Sequence, residues 1–361
     1  MKLAKLSIVL AFGLVLFSCK KKTASYDDTT KTKKIVTKAT NKKTANKTSA
    51  TTTSSQGDKE YRRVGNTIYF GTYPQSLVTD TSISEPLIEQ ANSSETGGWI
   101  NVNVYASNST YNSMRYKDIA YNDEKYRVVY LMNYINYSAT EPFNETNYPY
   151  QQINGYETNT KYCFKYEDVK WDILEEKDGK ATLLSSLMID ATYYEKISKN
   201  TKFIHNGDNG YSNNYYLSDV RKWLINTFYE TTFNDLQKEI IENTLVYNHK
   251  DSTGNLDNRF TCYNTEDKVF LLSIQEINKY FPNENDLKYV DGMASDYAKC
   301  FNCATDEGWG IYWITRSPHD FGTDSYFGFT IEVVNGDNGS ITWSFVDHQY
   351  YGIRPAITIK L

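Results

Sequence analysis

The chain has 361 residues and a net charge of −5, unevenly divided: residues 1–60 hold 13 Lys against 4 acids, net +9, and residues 61–361 hold 26 Lys and Arg against 40 Asp and Glu, net −14. So acidic a body repels phosphate backbones, which argues against nucleic acid as a partner. The roughly three hundred residues beyond the basic segment are ample for one large domain with a sizeable core. Its 32 Tyr suit carbohydrate-stacking surfaces, but the plain reading is the codon usage of an A·T-rich genome, since Tyr also suits half-buried strands with the ring packed and the hydroxyl wet.

Residues 1–18 read as a secretion signal: Lys2 and Lys5 precede an apolar run from Leu6 to Phe17, and Leu16-Phe-Ser-Cys19 resembles the bacterial lipobox. The run is shorter than the about 20 residues that span a bilayer core. The lipobox implies cleavage behind Ser18 and acylation of Cys19, where several chains anchor stably and one would not. An ordinary cleaved signal with an incidental Cys is the alternative. Lys20, Lys21 and Lys22 then meet anionic headgroups. Through residue 60 the chain is Thr, Lys, Ser, Asn and Ala, too polar to offset the entropy of ordering, and is expected to be a disordered tether. The expected setting is the bacterial cell envelope, with the membrane as partner through the lipid.

The body, 61–361, opens with the strand Val64 to Gln75. Residues 77–165 read as a loop-rich insertion: mostly loop with short strands from Leu77 to Ser113, a strand over Tyr126 to Met132, and a long loop from Phe143 to Lys161. Lys177-Asp-Gly179 between two apolar runs is the strongest hairpin signal. Ser218 caps a helix carrying Val220, Trp223, Leu224 and Phe228 on one face. Asn234 caps a second, expected to bury Leu236, Ile240 and Ile241. Ser273-Ile-Gln-Glu276 is a capping box for a third helix, which Pro282 stops, and Asp296 to Lys299 makes one more turn. The last fifty residues read as a closing β-meander: Gly310 to Pro318, Phe327 to Val334, Ser340 to Val346 and the apolar Gly352 to Ile359. So apolar a final strand belongs inside a sheet made by earlier segments.

Tyr69-Phe-Gly-Thr-Tyr-Pro-Gln75, Trp171 to Leu174, Leu183 to Ser185, Ser218 to Phe228, Asp267-Lys-Val-Phe-Leu-Leu-Ser273, Tyr297 to Lys299, Arg316-Ser-Pro318 and Gly352-Ile-Arg-Pro-Ala356 carry a resemblance over Val64 to Leu361. In that order they resemble an uncharacterised bacterial family of secreted proteins and lipoproteins, a domain of unknown function. More loosely, the pattern resembles the C-type-lectin-like fold shared with the formylglycine-generating enzyme. It implies an α+β body with an antiparallel sheet and two or three short helices, and by itself no activity.

Cys163, Cys262, Cys300 and Cys303 are candidates for disulfides, or equally for free thiols, in an exported chain. Cys300-Phe-Asn-Cys303 lacks the second ligand pair of a zinc site, so no metal is expected. Arg316 and Arg354 suit an anionic ligand, or serve as buried structural arginines. His319 and Asp320 after one strand, with Asp347, His348 and Tyr350 in the last loop, make a candidate polar cleft if the two loops share a sheet end; solvated loop residues are the plain alternative. Asn206 to Gly210 and Asn335 to Gly339 lack calcium-loop spacing and read as turns. There is no phosphate-binding or dinucleotide motif, so no cofactor is expected. The leading expectation is a surface lipoprotein binding an extracellular protein or glycan through the loops 77–113, 143–161 and 319–326. The alternative is a secreted hydrolase or thiol-using modifying enzyme built on Cys300, Cys303, His319 and His348.

Overall fold

Two short runs open the body as a hairpin. β1 (Arg62–Val64) turns through Gly65 and Asn66 into β2 (Thr67–Leu77), which continues through Pro74. The computed structural model describes residues 60–93, 98–107, 109–142, 150–196, 211–254, 262–287, 294–305, 311–319 and 328–361. The predicted signal peptide, Cys19, the tether and Asp320 lie outside the described residues.

Most of the stretch from 77 to 121, expected to be mostly loop, is regular structure, and the strand expected over Tyr126 to Met132 is present. Asp80 caps α1 (Thr81–Asn92) by accepting a hydrogen bond from the Ser82 N–H, and Leu87 and Ala91 are buried on its inner face. β3 (Ile100–Ala106), β4 (Ser109–Tyr121) and β5 (Glu124–Leu131) follow as an antiparallel meander. Pro86 inside the helix and the dense Ser, Thr and Asn disguise these elements. The underlying period is nonetheless present in Ile83, Leu87 and Ala91 at spacing four, and in Ile100-Asn-Val-Asn-Val104 at spacing two.

After α2 (Tyr150–Ile153) comes β6 (Thr160–Lys177), the spine of the molecule. β2 runs along one of its edges; β5 pairs with the start of the other edge and β7 (Lys180–Ser185) with its end. The β6–β7 turn forms as predicted, with Asp178 and Gly179 both at positive φ, 53° and 72°. β8 (Asp190–Ala191) leads to the helical region.

α3 (Asp219–Lys222), a π-helical turn over Trp223–Phe228 and α4 (Tyr229–Thr232) form one continuous stretch, capped by the Ser218 hydroxyl, with Val220, Leu224 and Phe228 buried. α5 (Asp235–Ile240) has the predicted Asn234 cap, and Ile241 just past the helix is buried as expected, but Leu236 points outward, 57% exposed. β9 (Thr244–Val246), α6 (Lys250–Thr253), β10 (Thr265–Asp267) and β11 (Val269–Phe270) precede α7 (Ile274–Tyr280), whose Ser273–Glu276 capping box is fully formed. α8 (Asp296–Cys300) then leads to β12 (Tyr312–Pro318), β13 (Thr330–Asn335), β14 (Ile341–Phe345), β15 (Gly352–Ile353) and β16 (Ala356–Lys360).

Among the described residues the strands make a large sheet in the order β11-β16-β7-β6-β5-β4-β3, with β2 and β1 attached through β6, a smaller one in the order β14-β13-β12-β15-β8, and a two-stranded pair of β9 and β10. Every pairing in them is antiparallel except β12 with β15. The fold is thus mixed α/β and rich in antiparallel sheet, with few helices. Trp171, Leu183 and Ile357 of the large sheet share one core with Trp313, Ile314 and Val333 of the small one. The closing segment does not stay in a single meander: the chain leaves the small sheet at Arg354-Pro355, and β16 enters the large sheet between β7 and β11. Gly352 is required at this crossing, since a Cβ there would lie 1.8 Å from Met188 Sδ. No helix among the described residues is long and apolar enough to cross a membrane.

Candidate functional site

The strand period places Trp343 and Phe345 on one face of β14, and the β13–β14 register sets Glu332 directly opposite Trp343. His319 lies just past Pro318 at the end of β12, where its N–H donates to Thr330 O at 3.0 Å. Its ring stacks on Trp343, centroids 6.0 Å apart and planes at 24°, and its Nδ1 lies 2.7 Å from Glu332 Oε1. From Trp343 the row continues to Phe345 at 5.7 Å, His348 at 5.3 Å, Tyr350 at 5.2 Å and Tyr150 at 4.9 Å. Trp343 itself is 39% exposed.

β14 therefore joins the two loops that carry His319 and His348, as expected of loops at one sheet end. The residues do not make the expected open polar cleft, however. His348 Nδ1 sits 2.8 Å from the Tyr351 hydroxyl and 3.0 Å from that of Tyr350, and burial pushes the imidazole below its usual range. Asp347 turns inward, its Oδ2 accepting from the Ser138 and Thr140 hydroxyls at 2.5 and 2.6 Å. The orienting carboxylate of an acid–base pair thus belongs to His319, through Glu332. Asp320 is outside the described residues.

Neither arginine joins this row. Arg316 is buried and donates to Leu271 O at 2.7 Å, Tyr247 O at 3.3 Å and the Glu276 carboxylate, on the floor of a cleft beside α7. Arg354, also buried, donates through Nε to Ser185 O at 2.9 Å, approaches Asp172 at 3.7 Å and lies over the Trp313 ring. It ties the large sheet to the small one at the crossing point. A pocket shared by Arg316, His319, His348 and Arg354 is therefore not formed: Arg316 is turned to the Leu271 and Tyr247 carbonyls and Glu276, and Arg354 to the Ser185 carbonyl and Asp172.

Of the two states open to the cysteines, the structure has the thiol: Cys163, Cys262, Cys300 and Cys303 are all free. Cys300 ends α8, and Cys303 Sγ donates to Ala304 O at 3.8 Å beside Met188 Sδ at 4.0 Å. Burial pushes Cys163 and Cys303 up to about 12 and raises Cys300 further. A nucleophilic cysteine needs thiolate character and a base within hydrogen-bond reach. Neither Cys300 nor Cys303 hydrogen-bonds to an imidazole among the described residues, and no group of metal-ligating side chains is gathered there.

Trp343, Phe345 and Glu332 were not singled out by motif. The alternation Trp343-Ser-Phe345, two aromatics on one face of a short strand, was the available signal.

The family described as "Domain of unknown function (DUF6273)" matches residues 178–361, which hold β7 to β16 and thus both arginines and the aromatic strand. No curated protein and no solved structure matches the chain.

Proposed function

We propose that this chain, which belongs to the DUF6273 family of domains of unknown function, binds an extracellular glycan by stacking sugar rings along the Trp343 row. The observation that carries the reading is Trp343 itself: a large ring 39% exposed, backed by His319, with the Glu332 carboxylate opposite it in the ladder. A pyranose has an apolar C–H face and a rim of hydroxyls, so it complements an aromatic plane edged by groups that donate and accept. The acidic body disfavours polyanions, which points to neutral sugars.

The lipobox-like Leu16-Phe-Ser-Cys19 supports a lipid anchor in the bacterial cell envelope, and the basic segment 19–60 a tether that holds the body off the membrane. We read the body as C-type-lectin-like, on its capped helices and closing C-terminal strands. The reading is tested with the detergent-solubilised full chain on glycan and protein arrays. Neutral glycans are expected to be retained, and Trp343→Ala to lose at least tenfold in affinity. Retention of proteins alone, or of nothing, would overturn it.

A further inference from the structure

A second feature lies at Arg316, three residues before His319. Tyr247, Ser252, Arg316 and the outward residues of α7 line a cleft of about 540 Å³, within the roughly 300–1,000 Å³ of small-molecule sites. Its chemistry is unusual for a surface groove. Glu276 is fixed at one oxygen only: Oε2 accepts from the Ser273 N–H at 2.9 Å and from Arg316, while Oε1 takes no hydrogen bond among the described residues and the side chain is 32% exposed. Arg316 cancels the charge without covering that oxygen, and its buried Nε has no hydrogen-bond partner. The cleft thus presents an oriented acceptor of little net charge.

The remaining groups complete a pattern. Gln275 and Asn278 bring exposed amides that both donate and accept, and the half-buried Ser252 brings a hydroxyl. Tyr247, 48% exposed, lines the cleft and brings an aromatic plane to the same space. Lys279 is turned aside to Glu175 at 2.9 Å, so its ammonium does not dominate the opening. A cationic ligand would find Glu276 already neutralised, and an anionic one would meet an uncovered carboxylate oxygen. A neutral polyol suits every group: hydroxyl protons go to Glu276 Oε1, its oxygens accept from the amides, and its C–H face lies on Tyr247.

We propose that the cleft between Tyr247 and α7 binds one neutral pyranose unit of a glycan and sets which sugar is accepted. This rests on the glycan reading above, in which the Trp343 row contacts the chain more broadly. Its test uses the full chain in detergent with glucose, galactose and N-acetylglucosamine, and glucuronate as the charged control, each titrated by calorimetry. One of the neutral sugars is expected to bind at least tenfold more tightly than glucuronate. Tyr247→Ala, an exposed change that spares the Arg316 pair, should weaken that binding at least tenfold, and Glu276→Gln should narrow the preference over glucuronate. Trp343→Ala should reduce array retention. If arrays retain glycans but Tyr247→Ala leaves single-sugar affinity unchanged, the cleft assignment falls and the row stands. If wild-type protein retains no glycan at all, both fall together.

Discussion

Tyr73 and Asp190 meet across the two sheets: the phenol on β2 donates a 2.5 Å hydrogen bond to the carboxylate that opens β8. The other carboxylate oxygen accepts from the Ala191 N–H at 2.8 Å. Both side chains are buried, and burial pushes Asp190 up to about 6. The folded state therefore holds this proton more tightly than the unfolded chain, whose Asp titrates near 3.9. Stability from this group is fullest below pH about 4, falls as pH rises to about 6, and is level above it. At about 1.4 kcal/mol per unit the loss is roughly 3 kcal/mol. Urea denaturation of wild type and Asp190→Asn at pH 4 and 6.5 should show the difference moving against wild type; a constant difference would refute the assignment.

Gly352→Ala forces a methyl into Met188, where the built Cβ lies 1.8 Å from Sδ. Overpacking of this kind costs about 1–3 kcal/mol, and more where the backbone cannot shift. Thermal melts should show the loss, and adding Met188→Ala should recover part of it, the non-additivity expected of residues in contact.

Arg316→Met should cost about 3–5 kcal/mol, because it strands Glu276 and frees the Leu271 and Tyr247 carbonyls beside it. Glu276→Gln keeps a capping side chain on α7 and should cost markedly less. Chemical denaturation of the two variants gives the order; the reverse order would mean that the buried Arg316 charge left without its carboxylate is the costlier loss.

The thiols should react in a set order. Cys163, Cys300 and Cys303 are buried and hold their protons, while Cys262 is half-buried. An aromatic disulfide reagent at pH 8 is expected to modify Cys262 first and the other three only after denaturant, with mass spectrometry locating each adduct.

Cys19→Ala should move the chain from the membrane fraction to the soluble fraction, since the apolar run before it is too short to span a bilayer core. Fractionation with an acyl-labelling probe reads both halves of that expectation.

Local signals carried much of the fold. Asp178-Gly179 gave its turn, Ser218, Asn234 and Ser273 their caps, and the alternation at the C-terminus its strands, because each depends on residues adjacent in sequence. The first sheet half was harder to read. Pro86 and the polar spacing of β3 resemble loop chemistry, and only pairing with β4 makes Ile100 to Ala106 a strand. Leu236 shows the converse: helical period predicts an inward face, and the tertiary packing leaves it exposed. Of the candidate site, His319, His348 and Tyr350 were legible as loop residues near one sheet end. Their linkage through Trp343 and Phe345 required the β13–β14 register, which no local pattern encodes. The arginines were legible as ligand-binding or as buried structural residues, but not their partners, since the carbonyls that occupy them come from Leu271, Tyr247 and Ser185, far away in the chain.

The place of β16 has a bearing on biosynthesis. Ala356 to Lys360 hydrogen-bonds to β7 on one side and β11 on the other, so a ribosome must have passed Lys360 before those neighbours are bridged. A nascent chain halted earlier would carry an open slot between two apolar strands, a form that proteases recognise and that translocation machinery can still thread. A frameshift or stop codon within these five positions should therefore be as damaging as one far upstream.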